Sequence, residues 1–233
     1  MADAERLKVQ VAAIFKDAWT KRNGLKVPEP EELALGNEAV EFERATILYA
    51  DLSGSTALVD AESWTFAAEV YKAYLHCAAT ILRDDGGSIV SYDGDRVMGV
   101  FIGGSQTTTA AKAALKINYA VQNIVNPALV AQYPGHAFTV RQIVGIDTSP
   151  IRAARTGVRG HNDLVWVGRA ANYAAKLTEL KAAERTWATQ AAYDHMADEA
   201  KFGGPERKPM WKLYRWEQMD DHPVYGSTWW WGL

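Results

Sequence analysis

The sequence predicts an α+β sandwich with a mostly antiparallel sheet, on three observations. Ala45–Ala50 (ATILYA) is a short apolar strand that closes on Asp51. Ser88–Tyr92 and Arg96–Phe101 are two apolar runs joined at Asp93-Gly94-Asp95, a strong hairpin signal. Two long helical patterns, Ser63–Leu82 and Thr107–Val125, alternate with these strands.

In chain order, Ala4–Lys21 reads as an amphipathic helix with Leu7, Val11, Ile14, Phe15 and Trp19 on one face. Val27-Pro28-Glu29-Pro30 cannot continue a helix and reads as an extended linker. After Asp51 the small residues Ser53-Gly54-Ser55-Thr56 form a turn that opens a helical region. Phe66, Val70, Tyr74 and Cys77 give the helix Ser63–Leu82 its apolar side, and Gly86-Gly87 breaks it. Beyond Thr107–Val125, Phe138–Ile146 reads as a strand, continued by Thr148–Arg159 as a further strand or hairpin arm. Leu164–Val167 is a strand running through Gly168 into the helix Ala170–Leu180. Arg185–Thr189, the helix Ala191–Ala200 and the strand Met210–Trp216 complete the elements. The organisation expected is an N-terminal helix and linker over 1–41, a principal domain over 42–217 and a tryptophan-rich tail over 218–233.

Composition narrows the function classes. A chain of 233 residues with 48% hydrophobic content can bury one sizeable core. A formal charge of -3 argues against a general nucleic-acid binder. The single cysteine, Cys77, excludes an internal disulfide and a multi-cysteine zinc site, and its apolar helical setting predicts a buried thiol. No apolar run is long enough for a transmembrane helix, and the N-terminus does not resemble a signal peptide, so a cytoplasmic location is expected. Trp229, Trp230 and Trp231 would be an aggregation hazard if exposed and are expected to be covered.

Three segments carry chemistry together. Asp51 at a strand end, followed by Ser53–Thr56, sets a carboxylate beside a turn whose backbone N–H groups can face an anion. Asp95 at the hairpin tip faces Asp51 across two metal ions if the hairpin lies beside the first strand. Asn172 and Lys176, four apart on a helix, share a face and offer an amide and a cation to one ligand. Singly these read as a cap, a turn and a solvated face; their joint order and context shift the balance toward a functional reading.

In those segments the chain resembles the catalytic domain of the class III nucleotidyl cyclases, from about Ala45 to Trp216. The family's Phe-Ala-Asp strand end and Gly-Phe-Thr turn correspond to Tyr49-Ala50-Asp51 and Gly54-Ser55-Thr56. Its Gly-Asp hairpin corresponds to Gly94-Asp95 before Val97–Phe101, and its Gly-Ile-His-Thr-Gly strand to Gly145–Ser149. Its Gly-Asp-x-x-Asn-x-Ala-x-Arg-Leu helix corresponds to Gly168–Leu177.

The resemblance implies a cyclase-like sandwich of the ferredoxin-like palm type. It implies that Asp51 and Asp95, assisted by the Leu52 carbonyl, hold two Mg²⁺ or Mn²⁺ ions per site. Amides of Ser53, Gly54, Ser55 and Thr56 would cradle the phosphates and Asn172 would orient the ribose. Lys176 stands where the family has Arg, a point charge in place of a planar fork. Arg141 lies on the family's phosphate-binding strand, displaced by two residues and so on the same strand face. Family sites take the aspartates from one subunit and the Asn–Arg helix from the other, which implies a homodimer.

Base recognition departs from both purine patterns. Adenylyl cyclases place Lys and Asp, and guanylyl cyclases Glu and Cys, where this chain has Ser91 and Val165. Tyr49 replaces the usual Phe and Arg96 follows the second aspartate; these can reach a smaller base, or simply pack and hydrate. Small stand-alone chains of this kind resemble the pyrimidine cyclases of bacterial Pycsar antiphage systems, which implies UTP or CTP as substrate and a separate cyclic-nucleotide-sensing effector. UTP is the expectation, from overall similarity. An adenylate cyclase with a degenerate base pocket and an inactive nucleotide- or partner-binding module are the rivals. A histidine-based metallohydrolase is disfavoured, because His76, His136, His161, His195 and His222 have no ligand spacing.

Overall fold

The apolar run that ends at Asp51 lies at the centre of a nine-stranded sheet in the computed structural model, which describes residues 3–233. In chain order α1 (Ala4–Lys16) and β1 (Thr20–Asn23) precede β2 (Glu38–Leu52). α2 (Ser55–Ala61) and α3 (Trp64–Asp84) lead to the hairpin of β3 (Ser88–Asp93) and β4 (Arg96–Phe101). α4 (Gln106–Ala120) passes through a π-helical turn, Val121–Val125, into α5 (Asn126–Gln132). β5 (Gln142–Val158), β6 (His161–Val167), α6 (Arg169–Leu177) and β7 (Thr186–Thr189) follow. The chain ends with α7 (Gln190–Asp194), α8 (Asp198–Lys201), the short pair β8 (Phe202–Gly203) and β9 (Lys208–Pro209), then β10 (Lys212–Trp216) and β11 (His222–Ser227).

The sheet runs β10-β11-β7-β5-β2-β4-β3, with β1 beside β2 and β6 beside β5. Its pairings are antiparallel except β5–β7 and β1–β2. One face is covered by α3 and α4, where Tyr74, Leu82, Leu115 and Ile117 are fully buried against β2 and β4. The alanines of α4 (Ala110, Ala111, Ala113, Ala114) let that helix approach the sheet closely. α6 covers the other face through Ala170, Ala171 and Ala174. It sits so close that a Cβ on Gly145 would stand 2.1 Å from the Ala174 carbonyl oxygen, so any side chain there would push α6 off the sheet.

Local chemistry explains where elements start and stop. The Ser63 hydroxyl accepts from the Phe66 N–H at 3.3 Å and starts α3. Gly94 turns the β3–β4 hairpin at φ +60, a conformation other residues adopt at a cost.

Several expectations are corrected. The first helix stops at Lys16 instead of Lys21: the Asn37 side-chain amide donates to the carbonyls of Ile14 (2.9 Å) and Asp17 (2.7 Å), and Thr20–Asn23 then pairs with β2. None of its residues is buried within the chain. The strand expected at Ala45–Ala50 is the inner part of a 15-residue strand. Phe138–Arg141 lies outside β5, which is one 17-residue strand. Pro150 is tolerated inside it because the β2–β5 register slips between Phe42 and Ala45, opposite the proline. The helix expected over Ala191–Ala200 is two short ones, α7 and α8. The boundary expected at residue 217 falls inside the sheet, since β11 is inserted between β7 and β10. Cys77 is half-buried. No helix among the described residues is long and apolar enough to cross a membrane.

The tail is clamped onto α4. The Asn118 side chain donates to the Trp229 carbonyl at 2.8 Å, and the Trp231 N–H donates to the Leu115 carbonyl at 3.1 Å. Trp229 and Trp231 pack on the core as expected, whereas Trp230 remains 50% exposed. Trp229→Ala is expected to cost about 2 kcal/mol of unfolding free energy, less than a fully buried tryptophan would. Urea unfolding followed by circular dichroism measures this, and an unchanged midpoint would show that the tail does not support the fold.

Candidate active site

The β2–β4 register sets Asp51 opposite Arg96, so Asp95, one residue earlier at the hairpin tip, lies beside Asp51. Asp51 receives a 2.9 Å hydrogen bond from Arg96 Nη2. The Arg96 guanidinium also sits over the Tyr49 ring, 5.8 Å from its centroid. Asp95 has no such partner among the described residues: its Oδ2 is buried and makes no hydrogen bond to them, and the hydroxyl of fully buried Tyr74 is equally unpaired. A buried carboxylate oxygen without a donor is costly, and a cation removes the cost.

Burial holds the Asp51 carboxyl above the ordinary aspartate range; Arg96 opposes this and the Asp95 charge adds to it. A raised folded-state value means that ionisation is less favourable folded than unfolded. The group's contribution to stability is then full below the ordinary aspartate range and is lost as pH rises through the raised value. Asp51→Asn is therefore expected to raise the melting temperature of the metal-free protein at pH 7 by a few degrees. Scanning calorimetry in a chelator checks this, and a lowered temperature contradicts it.

Around Asp51 opens a cleft of about 500 Å³, lined by Leu52, the Ser53–Thr56 turn, Arg141, Thr178, Lys181 and Arg185. The Ser53 N–H donates to the Arg141 carbonyl at 2.8 Å, which fastens the turn to the start of β5. Tyr49 and Met98 are cross-strand partners, as are Met98 and Ser91, so Ser91 lies two strands from Tyr49 at the same end of the sheet.

Other expected residues are not gathered here. Asn172 and Lys176 are exposed on α6, and among the described residues the Lys176 ammonium has a 3.7 Å polar contact with the Met219 sulfur. Val165 on β6 pairs with Ala154, which pairs with Ala39, twelve residues along β2 from Asp51. One chain therefore supplies the carboxylates, the turn, Tyr49, Ser91, Arg96 and Arg141 at one place, but not Val165.

The donor set suits Mg²⁺ or Mn²⁺. No group of three or more His, Cys, Asp or Glu side chains among the described residues could cage a metal alone. Mg²⁺ characteristically takes one or two carboxylates and completes its shell with water and substrate phosphates. Asp51, the unpaired Asp95 oxygen and the adjacent Leu52 carbonyl match that habit.

Lys181 and Arg185 escaped the sequence reading. Arg185 precedes β7 and reaches the cleft only through the parallel β5–β7 pairing, a long-range contact without a local signal.

No family model matches the chain. Curated relatives do. It is 48% identical over 99% of both chains to a uridylate cyclase of Burkholderia cepacia. It is 47% identical, over 94% of both chains, to one of Xanthomonas perforans. A uridylate cyclase of Rhodovulum sp. (strain MB263) is 35% identical over 93% of this chain and 92% of its own. Among solved structures, the adenylyl cyclase CyaB from P. aeruginosa superposes with a TM-score of 0.67 at 19% identity, covering 82% of this chain and 96% of that one. The guanylyl cyclase Cya2 gives a TM-score of 0.66 at 16% identity over 79% and 90%. These structures share the fold, and the curated relatives share nearly the whole chain: this protein is a nucleotidyl cyclase and belongs to the uridylate cyclase family.

Proposed function

We propose that this chain converts UTP to cyclic UMP and pyrophosphate at metal-dependent sites shared between two copies. The observation that carries the chemistry is the adjacency of Asp51 and Asp95, with a buried Asp95 oxygen that has no donor of its own. The substrate assignment rests on relatives named uridylate cyclase that align along almost the entire chain.

In the reaction the ribose 3′-oxygen attacks the α-phosphorus. The bond from that phosphorus to the bridging oxygen breaks, pyrophosphate leaves, and the 3′-hydroxyl proton is lost to solvent. Asp51, Asp95 and the Leu52 carbonyl would hold two Mg²⁺ or Mn²⁺ ions, which when bound would supply Lewis-acid stabilisation of charge on the 3′-oxygen and the phosphates. Amides of the Ser53–Thr56 turn and the Arg141 guanidinium orient the phosphate chain. Asn172 of a second copy positions the ribose, and Lys176 beside it offsets charge that grows on the α-phosphate. The exposure of both residues, without a charged partner among the described residues, leaves them available for this.

Tyr49 with Arg96 over its ring occupies the ground next to Asp51, which favours a small base held close to the carboxylates. Ser91 and Val165 offer none of the ionisable groups that read purine edges. In the cell, the product would act as a second messenger in antiphage defence, read by a separate effector. The experiment is an equimolar mixture of ATP, GTP, CTP and UTP with Mn²⁺, its cyclic products quantified by mass spectrometry. Cyclic UMP is expected to dominate. Cyclic CMP in excess would move the assignment to cytidylate cyclase, and cyclic AMP or GMP would overturn the reading of the base pocket.

A further inference from the structure

The Asp51 cleft holds more positive charge than the carboxylates inside it account for. Arg141, Lys181 and Arg185 line it, against Asp51, already paired with Arg96, and the exposed Glu179. Arg185 is half-buried and its guanidinium makes no hydrogen bond or ion pair among the described residues. Its neighbour Glu184 instead accepts from the Tyr214 hydroxyl. What does hold Arg185 is its backbone. Its N–H donates to Ser227 at 3.0 Å, and its carbonyl accepts from Val144 at 2.9 Å.

Strand register gives the geometry. Asp51 pairs with Ile143, and Val144 pairs with Thr186, so Arg185 stands beside Ile143 on the same rung. Cross-strand partners point to one face of a sheet. Ile143 and Trp187 share a cluster with Leu177 of α6, so this face is the α6 face, and Arg185, two residues before Trp187, points the same way as Asp51. Arg141, just ahead of β5, lines the same cleft. Two strand spacings put Arg185 about 10 Å across the sheet from the Asp51 strand. On the cyclase reading the α-phosphate lies by the Asp51 strand end, so that offset suits the far end of a triphosphate.

We propose that Arg185, paired with Arg141 and supported by Lys181, binds the β- and γ-phosphates, and hence the leaving pyrophosphate, in the same chain that carries Asp51. Two guanidiniums in one half-buried cleft repel each other. Burial, and then the Arg141 charge, hold the Arg185 group below its ordinary value, a tension that a polyanion relieves. Planar forks suit phosphate oxygens better than an ammonium does. The role rests on the cyclase reading only in naming the triphosphate; the polyphosphate site itself is independent of the base.

The test is binding of inorganic tripolyphosphate to the full chain with Mn²⁺ by calorimetry, beside KM for UTP and inhibition by pyrophosphate. Arg185→Ala is expected to weaken tripolyphosphate binding about 10- to 100-fold, with a similar rise in KM and in the pyrophosphate inhibition constant. Arg185→Lys should recover part of the loss, and thermal melts of both variants check folding. A folded Arg185→Ala variant with unchanged tripolyphosphate binding overturns the proposal, whatever the nucleotide specificity. Arg185-dependent tripolyphosphate binding without any cyclic product would keep the site and reject the cyclase reading. If the alanine variant does not fold, Arg185→Gln takes its place: a folded Arg185→Gln variant with unchanged tripolyphosphate binding overturns the proposal, and one with binding weakened to the same degree supports it.

Discussion

Replacing Asp51 and Asp95 together by alanine is expected to lower cyclic nucleotide formation by at least about 10³-fold, because it removes the two adjacent carboxylates that would hold a divalent cation. The loss should come without unfolding. Asp51 is destabilised by its own burial and Asp95 carries a buried oxygen with no donor, so neither charge holds the metal-free fold together. A double variant that melts at or above the wild-type temperature yet makes no product would place the defect in chemistry. Retained turnover would remove the aspartates from the mechanism.

The second large effect comes from mixing two inactive chains. Asn172→Ala/Lys176→Ala removes the α6 pair, and Asp51→Ala/Asp95→Ala removes the carboxylates. Each variant alone is expected to be inactive. In a symmetric dimer with composite sites, half of randomly assorted dimers are mixed, and each mixed dimer has one intact site of two, so co-expression should restore about a quarter of wild-type activity. A site completed within one chain would stay dead in the mixture. The prediction follows from the exposure of Asn172 and Lys176 on α6, with no role in their own chain's packing.

Much of the site was legible because its signals are local. A strand ending in Asp51, a small-residue turn and an Asp-Gly-Asp hairpin each span a few residues, and one antiparallel pairing puts both carboxylates together. What was not legible depends on distant partners. The end of α1 is set by Asn37, more than 20 residues on, and the exposed polar strand Thr20–Asn23 has no apolar alternation to read. β11 is a sheet strand only because β7 and β10 flank it. Arg185 becomes part of the cleft through the parallel β5–β7 pairing, and no spacing in the sequence announces that register. Arg96, read as a base contact or a solvated side chain, also donates to Asp51, which only the hairpin register reveals.

The most direct measurement is the product of UTP alone. Purified protein is incubated with UTP and Mn²⁺, and the products are resolved by mass spectrometry and ³¹P NMR. The account predicts cyclic UMP and pyrophosphate in equal amounts, both absent with the Asp51→Ala/Asp95→Ala chain. Formation of UDP and phosphate, or of linear UMP without a cyclic product, would show that water and not the 3′-oxygen is the nucleophile, and would contradict it.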